Sequence, residues 1–209
     1  MVAVPPRASP RKKMGRPPAT DNPRRQIVRA AARLFAEKGY EASSLGELAA
    51  LTGTSKAGIY HYFATKQQIY DAIILDVLGG LTQEVRRAVA IEAAPAARLR
   101  AFMLGHARFF QAHYYEFVAM LIGFSGMATP DMKQEANRLR DEHEQLLRTI
   151  VQHGLDTGQF SGSSAATTAR AVLSMLNWMV RWYRPDGKER AETFAMDYYH
   201  LIVQGLLPR

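Results

Sequence analysis

The stretch from Ser44 to Lys66, SLGELAALTGTSKAGIYHYFATK, constrains the fold more than any other part of the chain. Ser44 and Glu47 have the spacing of a capping box, in which the hydroxyl accepts from the N3 amide and the glutamate returns to the cap amide. A short apolar helix, Leu45 to Leu51, follows, and Gly53 tolerates the positive φ of a helix stop. Thr54 or Ser55 then caps a second short helix, Lys56 to Phe63. Two short helices joined by a glycine-containing turn read as a helix-turn-helix. Ile59 and Phe63 are the evident core anchors of the second helix. A helix of that length is not stable alone, so Lys56, Tyr60, His61 and Tyr62 are expected to face a partner. In such a motif the second helix enters the DNA major groove.

The charge distribution agrees. The 209-residue chain carries a formal net charge of +8, of which residues 1–25 contribute +6 through Arg7, Arg11, Lys12, Lys13, Arg16, Arg24 and Arg25 against Asp21. Such asymmetry points to nucleic acid or an anionic membrane. The prolines of residues 1–20 and their lack of large apolar side chains disfavour a membrane anchor, and that segment is expected to be a disordered basic arm. Its Gly15-Arg16-Pro17 resembles the core of arms that insert an arginine into the DNA minor groove; a solubilising tail is the alternative. With no cysteine, disulfides, thiolate catalysis and cysteine-ligated metals are excluded. No apolar run of about 18 residues and no signal-peptide core occur, so a cytoplasmic protein without membrane contact is expected.

The remaining chain reads as helix throughout. Asn22 and Pro23 open a helix to about Lys38, with Ile27, Ala31, Leu34 and Phe35 as its buried stripe and Gly39 as its stop. Arg24 and Arg25 in its first turn oppose the macrodipole, which suits an external phosphate, although a solvated pair is an equal alternative. Thr65 and Gln68 form a second capping box that starts a long helix to about Ala90, where Gly79-Gly80 marks a candidate kink or hinge. Further helices are predicted over Ala96–His113, Tyr115–Ser125, Pro130–Leu155 (capped by Thr129), from Ser163 or Ser164 to Trp182, and over Lys188–Leu206. No strand-like alternation is present, so the fold class is all-α, with about nine helices.

At this point the residues from Arg25 to Tyr70, RQIVRAAARLFAEKGYEASSLGELAALTGTSKAGIYHYFATKQQIY, resemble the TetR family of one-component transcriptional regulators. The resemblance implies a helix-turn-helix domain over residues 21–67 and a ligand-binding and dimerisation domain over 68–209. It implies that Thr54, Ser55, Lys56, Ala57 and Gly58 face base edges and nearby phosphates. Tyr60, His61, Tyr62 and Lys66 would hold phosphates, and Ser44 would contact one while capping its helix. Two departures stand out: Thr54 replaces the usual aliphatic residue, and Ala57-Gly58 replaces the usual Gly followed by Thr or Ser. Gly58 inside a helix costs about 1 kcal/mol of propensity.

In the C-terminal half, Asn177-Trp178, Trp182-Tyr183-Arg184-Pro185 and Gly205-Leu206 resemble the branch of this family that senses acyl-CoA or related CoA thioesters. Phe102, Phe109, Phe110, Phe117, Met120 and Phe124 are dense enough for a pocket wall, although an ordinary core accounts for most of them. Met175, Trp178 and Trp182 extend the candidate pocket. Arg181 and Arg184 suit phosphate, or else form a basic helix end. The expected function is a ligand-responsive repressor, a homodimer through the last two helices, released from a palindromic DNA operator by a small apolar effector such as a CoA thioester. A lipophilic drug or free fatty acid on the same fold, and a nonspecific architectural DNA-binding protein, are the alternatives. No cofactor, metal site or catalytic constellation is expected. The six histidines offer no ligand spacing, His106 and His113 being seven apart.

Overall fold

The computed structural model describes residues 22–122, 129–162 and 164–206. Among them every regular element is helical. Three short helices form the head: α1 Pro23–Lys38, α2 Leu45–Thr52 and α3 Lys56–Tyr62. The long α4, Lys66–Ala90, leads into α5 Pro95–Ala112, α6 Tyr114–Ile122, α7 Pro130–Asp156, α8 Ala165–Trp178 and α9 Ala191–Leu206. A turn of 3-10 helix, Met179–Arg181, follows α8.

The helix starts follow their caps. Asn22 Oδ1 accepts from the Arg24 amide at 2.9 Å, and Pro23 occupies the first position of α1. Ser44 and Glu47 complete the reciprocal box, with Ser44 Oγ accepting from the Glu47 amide at 3.2 Å and Glu47 Oε2 accepting from the Ser44 amide at 3.0 Å. Gly53 closes α2 in the left-handed region, at φ 63° and ψ 23°. Ser55, not Thr54, caps α3 through the Gly58 amide at 3.0 Å. Thr65 caps α4, but Gln68 returns to the amide of Ala64, one residue before the cap, at 2.8 Å.

The buried apolar residues form one cluster running from α1 to α9. α1 packs on α4 and α6, α4 on α5 and α7, and α5 on α9. The head is therefore seated on the body through α1, and α4 is wall to both. Gly79-Gly80 does not interrupt α4. A β-carbon on Gly80 would stand 2.8 Å from the Phe109 ring, so this glycine serves close approach of α4 and α5 rather than a hinge.

Candidate functional site

The outer face of α3 is open. Ile59 and Phe63 are buried, whereas Tyr60 and Tyr62 are 53% and 40% exposed, and Lys56, Ala57 and His61 are also exposed. Aromatic side chains held outward on a seven-residue helix make little sense as core. The Lys56 stem folds back over the first turn of α2, because Gly46 leaves room: a β-carbon there would lie 3.0 Å from Lys56 Cε. The same point is 3.5 Å from Lys56 Nζ and 3.6 Å from Ser44 Oγ. An ammonium, a hydroxyl and the positive end of α2 thus converge in one place. Arg24 lies over the face of Phe63 at 4.9 Å, which pins its guanidinium beside the end of α3.

The junction of head and body is a second feature. Lys66 Nζ donates to the carbonyls of Tyr40 and Ser43 at 2.7 and 3.0 Å and sits 4.2 Å from the Tyr40 ring. Tyr40 packs edge-on against Phe35 and Tyr70, each with ring centroids 5.3 Å apart. Tyr70 is buried, which pushes its hydroxyl up to about 12, and it donates to the Ala119 carbonyl of α6 at 3.2 Å.

The third feature is a cavity of about 360 Å³ among α4, α5, α6, α7 and α8. Leu78, Leu81, Met120, Leu121 and Leu173 supply its apolar wall. Thr82, His106 and His143 add a buried polar edge, and Arg140, Glu144 and Arg170 also line it. Both arginines are exposed, which places them at the mouth. Arg170 Nε stands 3.6 Å from the Glu144 carboxylate. His106 Nδ1 and His143 Nε2 are 3.4 Å apart. Burial holds His143 down at about 4; it also lowers His106 well below its usual value, helped by His143.

Comparison with known proteins decides the family. Residues 27–73 match the profile of bacterial regulatory proteins of the tetR family, and residues 92–206 match the tetracyclin repressor-like C-terminal domain. The chain belongs to the TetR family. Among relatives, the HTH-type transcriptional repressor KstR2 of Rhodococcus jostii is 26% identical over 196 residues, spanning 91% of this chain and 96% of that protein. The crystal structure of the TetR family transcriptional regulator PfmR from Thermus thermophilus is 45% identical with a TM-score of 0.81, covering 88% of this chain and 99% of that one. AibR, solved in complex with isovaleryl coenzyme A and operator DNA, is 25% identical with a TM-score of 0.75, covering 86% and 97%. Membership makes this chain a ligand-responsive, DNA-binding transcriptional regulator, in a family of regulators rather than enzymes. No helix among the described residues is long and apolar enough to cross a membrane.

Within this TetR frame several expected site residues move. Lys66 does not stand ready for a phosphate: two of its three donors are held by carbonyls inside the head. Arg24 and Arg25 are exposed but line a cleft with Asp76 and Glu116 at the seam of α1, α4 and α6. Of the expected pocket residues among those described, only Met120 lines the cavity. Phe102, Phe110 and Phe117 are core; Phe102 and Phe117 back the histidines, with centroids 4.8 Å from His143 and 5.6 Å from His106 respectively. Phe109 fills the approach to Gly80, and Met175 is partly buried on α8 outside the cavity wall.

The expected indole and guanidinium residues stand apart from this cavity. Trp178 is 63% exposed with Arg181 stacked over it at 5.3 Å, Trp182 packs edge-on against Phe194 of α9, and Arg184 is exposed. α8 ends at Trp178, and the 3-10 turn Met179–Arg181 follows it. Arg16 and Phe124 lie outside the described residues. Among the cavity residues that sequence reasoning missed are Thr82, His106, Arg140, His143 and Arg170. They come from four helices, and only tertiary packing brings them together.

Proposed function

We propose that the chain is a repressor that binds a palindromic operator as a homodimer in the cytoplasm and is released by an acyl-coenzyme A effector. The carrying observation is the cavity: an apolar wall suited to an acyl body, with Arg140 and Arg170 at the mouth suited to an anionic headgroup. AibR, similar over nearly its whole length, was solved with isovaleryl coenzyme A and operator DNA. The chain acts by binding alone, without catalysis.

On DNA, Ser55, Lys56, Ala57 and the Thr54–Gly58 pair face base edges, while Tyr60, His61 and Tyr62 touch phosphates. Lys56 and Ser44 hold one phosphate at the start of α2, and Arg24 and Arg25 contribute from α1. Arg16 reaches the minor groove from the basic arm. A second copy docks on α8 and α9, where Trp178, Trp182 and Leu201 are exposed. The effector acts through α6: Met120 and Leu121 touch it, and the neighbouring Ala119 carbonyl holds Tyr70, which contacts the head through Tyr40. Release requires that the effector bind the free protein more tightly than the operator-bound one.

The test is operator selection from random DNA, followed by release assays with octanoyl-CoA, octanoate and free CoA. Release by the thioester alone, weakened about tenfold or more in the Arg140→Ala/Arg170→Ala variant, is the expected result. Equal thioester affinity for free and operator-bound protein would sink the reading.

A further inference from the structure

We infer that the effector carries a neutral oxygen function, hydroxyl or keto, in its buried body, and that Thr82, His106 and His143 recognise it. This rests on the reading of the cavity as the effector site.

The three residues come from α4, α5 and α7 and are 3%, 1% and 6% exposed. Thr82 Oγ1, His106 Nε2 and His143 Nδ1 have no hydrogen-bond partner among the described residues. All three residues line the cavity, whose α4 and α6 walls are otherwise the leucines and Met120. Buried polar atoms without partners are rare in folded proteins, and a cluster of three on one cavity wall calls for a polar guest.

The tautomers define what that guest is. His106 Nδ1 and His143 Nε2 are 3.4 Å apart, a separation that a hydrogen bond with one shared proton fits. If His106 gives it, His143 Nδ1–H is an outward donor and His106 Nε2 an outward acceptor. If His143 gives it, the two roles exchange. Either way two neutral imidazoles present one donor and one acceptor, and the Thr82 hydroxyl adds one of each. A keto oxygen takes the donor, and a hydroxyl takes either. A plain alkyl chain satisfies none of the three and would leave them desolvated. A carboxylate is disfavoured, because it offers no proton to the acceptor nitrogen and would need a charged ring where burial favours neutral ones. Arg140 and Arg170 at the mouth, not this edge, suit the anionic part.

The experiment is calorimetric titration of the full chain with two matched series. One is octanoyl-CoA, 8-hydroxyoctanoyl-CoA and 7-oxooctanoyl-CoA. The other lacks the headgroup: methylcyclohexane, cyclohexanol and cyclohexanone. In at least one series the oxygenated probes should bind about tenfold or more tighter than the hydrocarbon, and His106→Phe and His143→Leu should erase that preference. Thioester binding with no preference overturns this inference and leaves the acyl-CoA reading intact. A preference confined to the headgroup-free series overturns the acyl-CoA reading and leaves this one. Failure of both series to bind overturns both. Should the variants not fold, imidazole nitrogen-15 resonances of the wild-type chain provide the readout. The outer nitrogens must shift with an oxygenated probe and not with the hydrocarbon; unshifted resonances overturn the assignment.

Discussion

The hydroxyl of Thr54 occupies the place a β-carbon on Gly58 would need, so the two residues of the recognition turn are matched to each other. Neither is a free departure from the usual family pattern. Ser55 takes the cap and Thr54 turns back over α3, where glycine at position 58 leaves room for its hydroxyl in this rotamer. Gly58→Ala alone should therefore destabilise the head despite its better helix propensity. Thr54→Ala/Gly58→Ala should recover the loss and gain about 1 kcal/mol over the native pair. A thermal-denaturation double-mutant cycle checks this; strict additivity would refute the coupling.

Lys66→Met separates an internal role from a DNA contact. Removing the ammonium leaves the Tyr40 and Ser43 carbonyls without their donor, at a cost of about 1–3 kcal/mol in urea unfolding. A pure phosphate ligand would lower operator affinity and leave unfolding unchanged.

Gly80→Ala should act at a distance. The added carbon meets a ring that cannot bend, 2.8 Å away, so α4 and α5 must part or Phe109 must move. A loss of about 1–3 kcal/mol is expected, with recovery in Gly80→Ala/Phe109→Leu. The same pair should change effector release in gel-shift titrations, because Leu78, Leu81 and Thr82, on the same turns of α4, line the cavity.

Acid should loosen the body through the histidine pair. Both folded values are depressed, His143 to about 4, so above the unfolded value near 6.5 the rings are neutral in both states. As pH falls from about 6.5 toward 5, the unfolded chain takes up protons that the folded chain refuses, and stability drops. The slope is about 1.4 kcal/mol per pH unit for each histidine fully engaged. Chemical denaturation between pH 7 and 5 should show it, and His106→Phe/His143→Leu should flatten it.

Much of the head is legible in the sequence because its signals are local. Caps, stop glycines and the α1 stripe lie within a few residues of what they control, and α1 has its expected bounds. The body is less legible because its decisive contacts are remote. The sequence predicts α9 from Lys188, yet it begins at Ala191, since the side chain of Gln111, on α5, accepts from the Ala191 amide at 2.8 Å and from the Tyr183 hydroxyl at 3.0 Å. No neighbouring residue announces that cap. The predicted α8 overruns its true end because neither glycine nor proline marks a stop before Pro185. The histidine pair escapes a search for spacing along one helix because its members sit on two.

On the proposed reading, chemical discrimination and motion draw largely on different helices. Two of the three discriminating side chains, His106 and His143, lie on α5 and α7, while Met120 and Ala119, which would carry the effector's push toward Tyr70, lie on α6. Substitution on α5 and α7 would then alter which molecule is welcome while leaving the α6 linkage to the DNA reader in place, so a descendant could change diet without rewiring.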